Sequence, residues 1–202
     1  MKDKVVDFFF EKIKINNNDL DIIKLEELRY GLVGLYTLIT KTSVIILLSV
    51  ILNFFKDFII FLFFYSLLRS VGYGTHAKTN IMCWIFSTIL LLGIPYIFTL
   101  LKISTFVKSI IWSVCFLNFV IFCPADTKKR PMINKVRKLK FKLAILIISI
   151  IYLILIFKVE YIANLILAAM VLESILTNPL GYILMGQKVR FHLNDINIFK
   201  LK

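Results

Sequence analysis

Long apolar segments separated by short polar breaks follow one another along this chain from about residue 31 onward. An α-helix rises about 1.5 Å per residue, so about 20 apolar residues cross the roughly 30 Å hydrocarbon core of a bilayer. The pattern therefore predicts an all-α protein, a polytopic bundle of membrane helices. Six apolar segments can be defined, at residues 32–55, 58–68, 81–101, 106–123, 141–157 and 161–176.

The second apolar segment, residues 58–68, is the shortest of the six. At helical rise it covers only about half of the hydrocarbon core, so we expect it to be short, tilted or re-entrant. Lys56 and Asp57 predict a sharp turn directly before it. Because the ends of such a segment need protein neighbours, a homodimer is also expected.

The last four apolar segments pair into two hairpins. The residues expected in the first turn are Lys102, Ser104 and Thr105, those in the second are Lys158 and Glu160, and the last helix is expected to end at Asn178 and Pro179.

The region before the apolar segments, residues 1–30, mixes charges of both signs with apolar residues. Its asparagine run at 16–18 predicts two amphipathic helices, the second capped by Asn18 or Asp19. We expect these helices at the cytoplasmic membrane face. The expected organisation is then this N-terminal region, a membrane helical domain over residues 31–180, and a cytoplasmic tail over 181–202.

Composition strengthens the membrane interpretation. The chain is 59% hydrophobic with a mean hydropathy of +0.86, more than a soluble core requires. Its net charge of +13 would also suit nucleic acid, but the basic residues lie beside the apolar segments, where anionic lipid and membrane topology explain them. We therefore expect lipid, and no nucleic acid, as a partner.

The loop at residues 124–142 carries eight basic residues and only one acid, Asp126. The positive-inside rule places such a loop in the cytoplasm. Counting hairpins backward places the polar break at residues 69–83 on the same side, together with both termini. The sequence thus predicts a multi-pass cell-membrane protein whose break and basic loop share the cytoplasmic face.

The break contains His76 and Cys83, a candidate base and a candidate nucleophile. Cysteine attacks as thiolate, and a free thiol with a pKa of about 8.5 needs a base or a positive environment. In one continuous helix the two residues would be about 10.5 Å apart along the axis, too far for proton transfer. The chain between them must therefore bend.

Gly72, Gly74 and Thr75 supply the flexibility for this bend, and Thr79 can cap a new helix that begins at Asn80. Cys83 would then lie near the first turn of that helix, where the helix dipole favours an anion.

Cys115 and Cys123 lie in apolar sequence without a nearby histidine and are expected to be packing residues.

The basic residues of the break and of the basic loop have more than one interpretation. Arg69 either reaches toward lipid headgroups, grips a peptide carboxylate or orients the loop. The triplet Lys128, Lys129 and Arg130 either anchors topology or holds an acidic substrate segment. The three cysteines contain no CxxC pair, and no metal or cofactor is expected.

These residues resemble the AgrB family, membrane peptidases of peptide quorum-sensing systems. The first matching motif consists of Arg69, Gly74, His76, Ala77 and Cys83, and the second of Pro124, Ala125, Asp126, Lys129, Arg130 and Pro131. The sequence departs from the family where Tyr73, Gly74 and Thr75 precede the histidine, because many members have paired glycines there.

The resemblance implies a cysteine endopeptidase that removes the acidic C-terminal part of an AgrD-like propeptide. Cys83 and His76 would be catalytic, while Arg69, Gly74, Lys128, Lys129 and Arg130 would bind substrate or orient the loop. The acyl-enzyme would pass to a cysteine of the peptide and close a thiolactone. The alternative is a non-catalytic transporter or peptide-export subunit, which would use Asn118, Asn164 and Glu173 as a polar pathway.

Overall fold

A computed structural model describes residues 2–16, 22–75, 80–125 and 134–186. Within these ranges every regular element is helical, which confirms the predicted all-α fold. The contacts divide the chain into two compact units, Met1–Asn53 and Phe54–Lys202.

The first unit consists of helices α1, Lys2–Asn16, and α2, Ile22–Ile51. The predicted second amphipathic helix is not a separate element, because its residues form the beginning of α2. Arg29 links the two helices through an exposed ion pair with Asp7, with 3.0 Å between Nη2 and Oδ1. The predicted caps Asn18 and Asp19 lie outside the described residues.

The turn between α2 and the next helix falls earlier than predicted. Asn53 adopts a left-handed φ of 54°, and its N–H donates to the carbonyl of Val50 over 3.0 Å. Asparagine tolerates this conformation better than most residues, so it can end the helix. Lys56 and Asp57 lie instead in the first turn of α3, and the prediction of a turn there is wrong.

Helix α3, Phe55–Gly72, contains 18 residues and is about 27 Å long at helical rise. The helix is thus seven residues longer than the predicted apolar segment at 58–68. The charged residues at both ends continue the helix and do not interrupt it. Its buried side chains lie three or four residues apart and form one face, which contains Phe58, Phe61, Phe64 and Leu68.

Helix α8, Glu160–Thr177, lies at the centre of the second unit, where α3, α5, α6 and α7 pack against it. In its most apolar window 67% of the residues are buried, against 11–22% in the other long apolar helices. Five described helices are long and apolar enough to cross a membrane. They are Lys24–Ile51, Ile81–Leu100, Thr105–Phe122, Lys135–Lys158 and Glu160–Thr177.

The span Ile81–Leu100 is formed by three consecutive helical pieces. Helix α4, Asn80–Thr88, continues into a π-helical turn, Ile89–Gly93, and then into α5, Ile94–Leu100. The next helix, α6, Thr105–Phe122, is capped by Ser104, whose hydroxyl accepts from the N–H of Val107. This confirms the turn predicted at Ser104.

Helix α7, Lys135–Lys158, begins six residues before the predicted apolar segment. Asn134 caps it by accepting from the N–H groups of Val136 and Arg137 over 3.0 and 3.3 Å. The second half of the predicted basic loop is therefore helical, a correction to the expected loop at 124–142. Long lysine and arginine stems allow these turns to extend beyond the apolar region.

The last described helix, α9, Pro179–Leu184, follows α8 directly. Asn178 ends α8 as predicted, and its Oδ1 accepts from the N–H of Leu180 over 3.0 Å.

The C-terminal ends of α3, α6 and α8 meet at one end of the bundle. The N–H of Ala125, just after α6, donates to the carbonyl of Gly72 over 3.0 Å. The N–H of Thr75, just after α3, donates to the carbonyl of Leu176 over 3.0 Å. The break after α3 and the start of the second motif thus lie at one end, as the hairpin count predicts.

Candidate active site at one end of the bundle

The chain reverses direction sharply after α3. Tyr73 has φ 66° and ψ −68°, and the N–H of Gly74 donates to the carbonyl of Gly72 over 3.0 Å. These values define a γ-turn of the rare positive-φ kind. Gly74 follows with φ 61°, a conformation that glycine adopts without steric cost.

Thr75 fixes the end of this turn against α8. Its side chain is almost fully buried, and its hydroxyl lies 3.3 Å from the carbonyl of Leu176, which also accepts from its N–H. His76 is the next residue. The backbone directly before the candidate base is therefore bonded to α8 in the bundle core. His76 and Lys78 themselves lie outside the described residues.

Arg69 points into the bundle, with 19% of its side chain exposed. Its Nη2 donates to the carbonyl of Thr75 over 3.0 Å. On the other side, Nη1 lies 3.6 Å from Oε2 of Glu173, which is fully buried. Of the three interpretations of Arg69, these contacts favour the one in which it orients the loop, because the guanidinium binds the backbone carbonyl of Thr75.

Two glycines make room for this ion pair. A Cβ on Gly72 would overlap Oε1 of Glu173, and a Cβ on Gly74 would overlap Nη1 of Arg69. Gly74 therefore orients the loop for two independent reasons, its backbone conformation and the space that Arg69 occupies.

Sequence reasoning missed Glu173 as the partner of Arg69 and assigned it to a transport pathway. The available signal was that Glu173 is the only acid within α8 after its first residue. A lone carboxylate in an apolar helix needs a compensating cation. Asn164 also serves the fold, because its Nδ2 donates to the carbonyls of Phe98 and Leu101, each over 3.0 Å.

Cys83 is the fourth residue of α4, which begins at Asn80 as predicted. Its side chain is half-buried, and its Sγ lies 4.0 Å from Oγ of Ser87. The Ser87 hydroxyl donates to the carbonyl of Cys83 over 2.6 Å. The thiol thus lies in the first turn of a helix, as the sequence predicts. The predicted cap, Thr79, lies outside the described residues.

The other two cysteines are buried in the core, each 3% exposed. The side chain of Cys115 hydrogen-bonds Ser174, and that of Cys123 hydrogen-bonds Thr177. Both contacts join α6 or its end to α8. The prediction that these cysteines are packing residues is confirmed.

Ala125 of the second motif is buried at this site, where its N–H donates to the carbonyl of Gly72. From the other side, the ring of Phe141 lies 5.1 Å from that of Tyr73, and the guanidinium of Arg137 lies 5.5 Å from the Phe141 ring. Lys128, Lys129 and Arg130 lie outside the described residues. Within the described ranges, no group of three or more His, Cys, Asp or Glu residues could hold a metal ion.

The fold and the site define a polytopic α-helical membrane protein with a γ-turn directly after α3. The chain belongs to the accessory gene regulator family whose model, described as "Accessory gene regulator B", matches residues 3–177. This confirms the resemblance seen in the two motifs. Membership in this family implicates the chain in accessory gene regulator quorum sensing.

Curated relatives match over most of their length. Accessory gene regulator protein B of Staphylococcus epidermidis is 30% identical over 89% of this chain and 92% of its own. The proteins of the same name from Staphylococcus saprophyticus and from Staphylococcus aureus strain RF122 are 29% and 26% identical, also over 89% of this chain, and over 95% and 96% of their own. No solved structure matches the chain.

Proposed function

We propose that this chain is a membrane cysteine endopeptidase that matures an AgrD-like propeptide into a cyclic peptide signal. Cys83 is the nucleophile and His76 the general base. The removed part of the propeptide is its acidic C-terminal segment, and the product retained on the enzyme becomes a thiolactone.

The observation that carries this proposal is the hydrogen bond from Ala125 to Gly72. It joins the two motifs on which the family resemblance rests, although they are about fifty residues apart in sequence. Thr75 is anchored directly before His76, and Cys83 lies half-buried in the first turn of the next helix. A reactive thiol needs access, and the half-buried position of Cys83 in the first turn of α4 provides it.

The reaction proceeds in two transfers of the acyl group. The Cys83 thiolate attacks the scissile carbonyl, the C–N bond breaks, and the proton taken up by His76 passes to the leaving amine. A cysteine thiolate of the peptide then attacks the enzyme thioester, which forms the thiolactone and releases the Cys83 thiolate. One thioester replaces another, so this step is close to energy-neutral and requires the exclusion of water.

The basic residues in and after the second motif fit an acidic leaving segment. Lys128, Lys129 and Arg130 follow Ala125 closely in sequence. Arg137, at the beginning of α7, lies over the ring of Phe141, which packs against Tyr73 of the γ-turn. Such a concentration of positive charge favours an acidic peptide and steers its approach. We place this end, and both termini, on the cytoplasmic side by the positive-inside rule.

Two of the three residues that a transporter would use as a polar pathway make structural contacts. Glu173 pairs with Arg69, and Asn164 donates to the end of α5. The argument for a homodimer also changes, because α3 is longer than the predicted apolar segment and packs against α5, α7 and α8 of its own chain.

The proposal is tested by reconstituting the full chain in vesicles with the AgrD-like propeptide encoded in the same genome. Cys83→Ala and His76→Ala are expected to abolish cleavage while membrane insertion is unchanged. Cys115→Ala and Cys123→Ala serve as matched controls and are expected to keep cleavage. Cleavage by Cys83→Ala membranes would refute the proposed nucleophile.

A further inference from the structure

Glu173 is fully buried, the most deeply buried charged side chain in the part of the chain that the structure describes. Its Oε2 lies 3.6 Å from Nη1 of Arg69, and neither carboxylate oxygen accepts a hydrogen bond from the described residues. A buried carboxylate is tolerated only beside a compensating cation. The charge of Glu173 therefore holds the Arg69 guanidinium in place.

Arg69 in turn binds the backbone of the loop that follows α3. Its Nη2 donates to the carbonyl of Thr75, and the N–H of Thr75 donates to the carbonyl of Leu176. Leu176 lies three residues after Glu173 on α8. The contacts thus form a closed ring that starts and ends on α8 and contains the last described residue before His76.

The γ-turn inside this ring needs external support. A non-glycine residue such as Tyr73 at φ 66° is strained, and such a conformation persists only where the surroundings determine it. The bond from Arg69 to Thr75 closes the turn on its far side. If Arg69 lost its counter-charge, the turn could relax toward an ordinary φ and redirect the chain after Thr75.

We propose that Glu173 is a positioning residue for the peptidase reaction. It acts through Arg69 on the carbonyl of Thr75 and so sets the direction in which the chain leads into His76. Being fully buried, Glu173 contacts neither substrate nor the reacting atoms. This inference rests on the proposed function, because it assumes that His76 activates Cys83.

The test uses the full chain carrying Cys115→Ala and Cys123→Ala, in which Cys83 is the only thiol. In this background the rate of Cys83 alkylation by iodoacetamide is measured against pH, and propeptide cleavage gives kcat and KM. Glu173→Gln is expected to lower kcat about 100-fold, as misplacement of a catalytic group does, with KM changed less than about twofold. Its alkylation profile should move toward that of His76→Ala.

Three further variants separate positioning from general damage. Ser174→Ala changes the neighbouring buried polar residue on α8 and should keep both the profile and kcat. Glu173→Asp keeps the charge and should retain more activity than Glu173→Gln. If Glu173→Gln fails to fold, the double variant Arg69→Gln/Glu173→Gln removes both buried charges and should show the same shifted profile.

The outcomes distinguish this inference from the proposed function. If Cys83→Ala is inactive but Glu173→Gln keeps the parental alkylation profile and kcat, the positioning role is refuted and the peptidase stands. A loss of activity with an unshifted profile would also refute it, because a purely structural role gives that result. If Cys83→Ala still cleaves, the proposed function itself fails.

Discussion

Helix α8 is joined to α3 near both of its ends, by contacts of opposite character. Near its beginning, the hydroxyl of Tyr161 donates to Oδ1 of Asp57 over 2.7 Å at an exposed position. Near its end, Glu173 and Arg69 form an ion pair inside the bundle. Water can replace the first contact when it is lost, whereas the second leaves an uncompensated charge.

This difference shows where the molecule needs a defined geometry. A catalytic group must be held within a fraction of an ångström by its supporting contacts, and buried polar contacts provide that precision. The end of the bundle with the buried ion pair is the end that carries both motifs. The opposite end requires only that the helices stay together.

The largest expected effect comes from leaving Glu173 without its cation. Arg69→Gln should lower the free energy of unfolding by about 3–5 kcal/mol, because the carboxylate remains buried. Adding Glu173→Gln should recover most of this loss but not propeptide cleavage. SDS titration of the reconstituted protein measures both variants. A loss below about 1 kcal/mol for Arg69→Gln would show that the ion pair is not needed for stability.

The next effect comes from Gly74, for which Gly186 is a matched control. Both have positive φ, but only at Gly74 would an added Cβ meet another side chain, that of Arg69. Gly186→Ala should cost about 1–2 kcal/mol from backbone conformation alone. Gly74→Ala should cost more and also abolish cleavage, because Arg69 must move. Equal losses of stability, with cleavage retained in both variants, would contradict the structure.

An intermediate effect is expected at Asn164. Asn164→Leu removes two hydrogen bonds to α5 and leaves two carbonyls without this donor, which should cost about 1–3 kcal/mol. Asn118→Leu is the control, since the Oδ1 of Asn118 has no partner among the described residues. SDS titration should rank Asn164→Leu as the more damaging variant. The reverse order would argue against the assigned contacts.

The smallest effect is expected at the exposed contact. Tyr161→Phe removes the hydrogen bond to Asp57 and should change the free energy of unfolding by less than about 1 kcal/mol. Propeptide cleavage should be unchanged. A cleavage defect in this variant would show that the two ends of α8 are coupled, and the comparison between them would fail.

The sequence predicted most of the fold because apolar length and turn chemistry act locally. The hairpin turn at Ser104, the helix start at Asn80 and the helix end at Asn178 all follow from residues at those positions. The packing roles of Cys115 and Cys123 follow from their apolar surroundings. Counting hairpins also placed the two motifs at the same end of the bundle.

The errors at the ends of α3 and α7 share one physical cause, which is that a charged residue does not by itself end a helix. Lys56, Asp57 and Arg69 all lie within α3, and Lys135 begins α7 within the predicted loop. A charged residue can continue a helix where its side chain reaches the surface or finds a partner. The partner of Arg69 lies about a hundred residues away in sequence, and local patterns do not reveal such a pairing.

The π-helical turn at Ile89–Gly93 affects the span that carries Cys83. Its wider bonding pattern accommodates an additional residue, which rotates everything beyond Gly93 by about 100° relative to an uninterrupted α-helix. Cys83 and the α5 side chains that pack on α8 therefore follow two different angular phases within one membrane crossing. The direction in which the thiol points from the helix axis is therefore not set by the packing of α5 against α8.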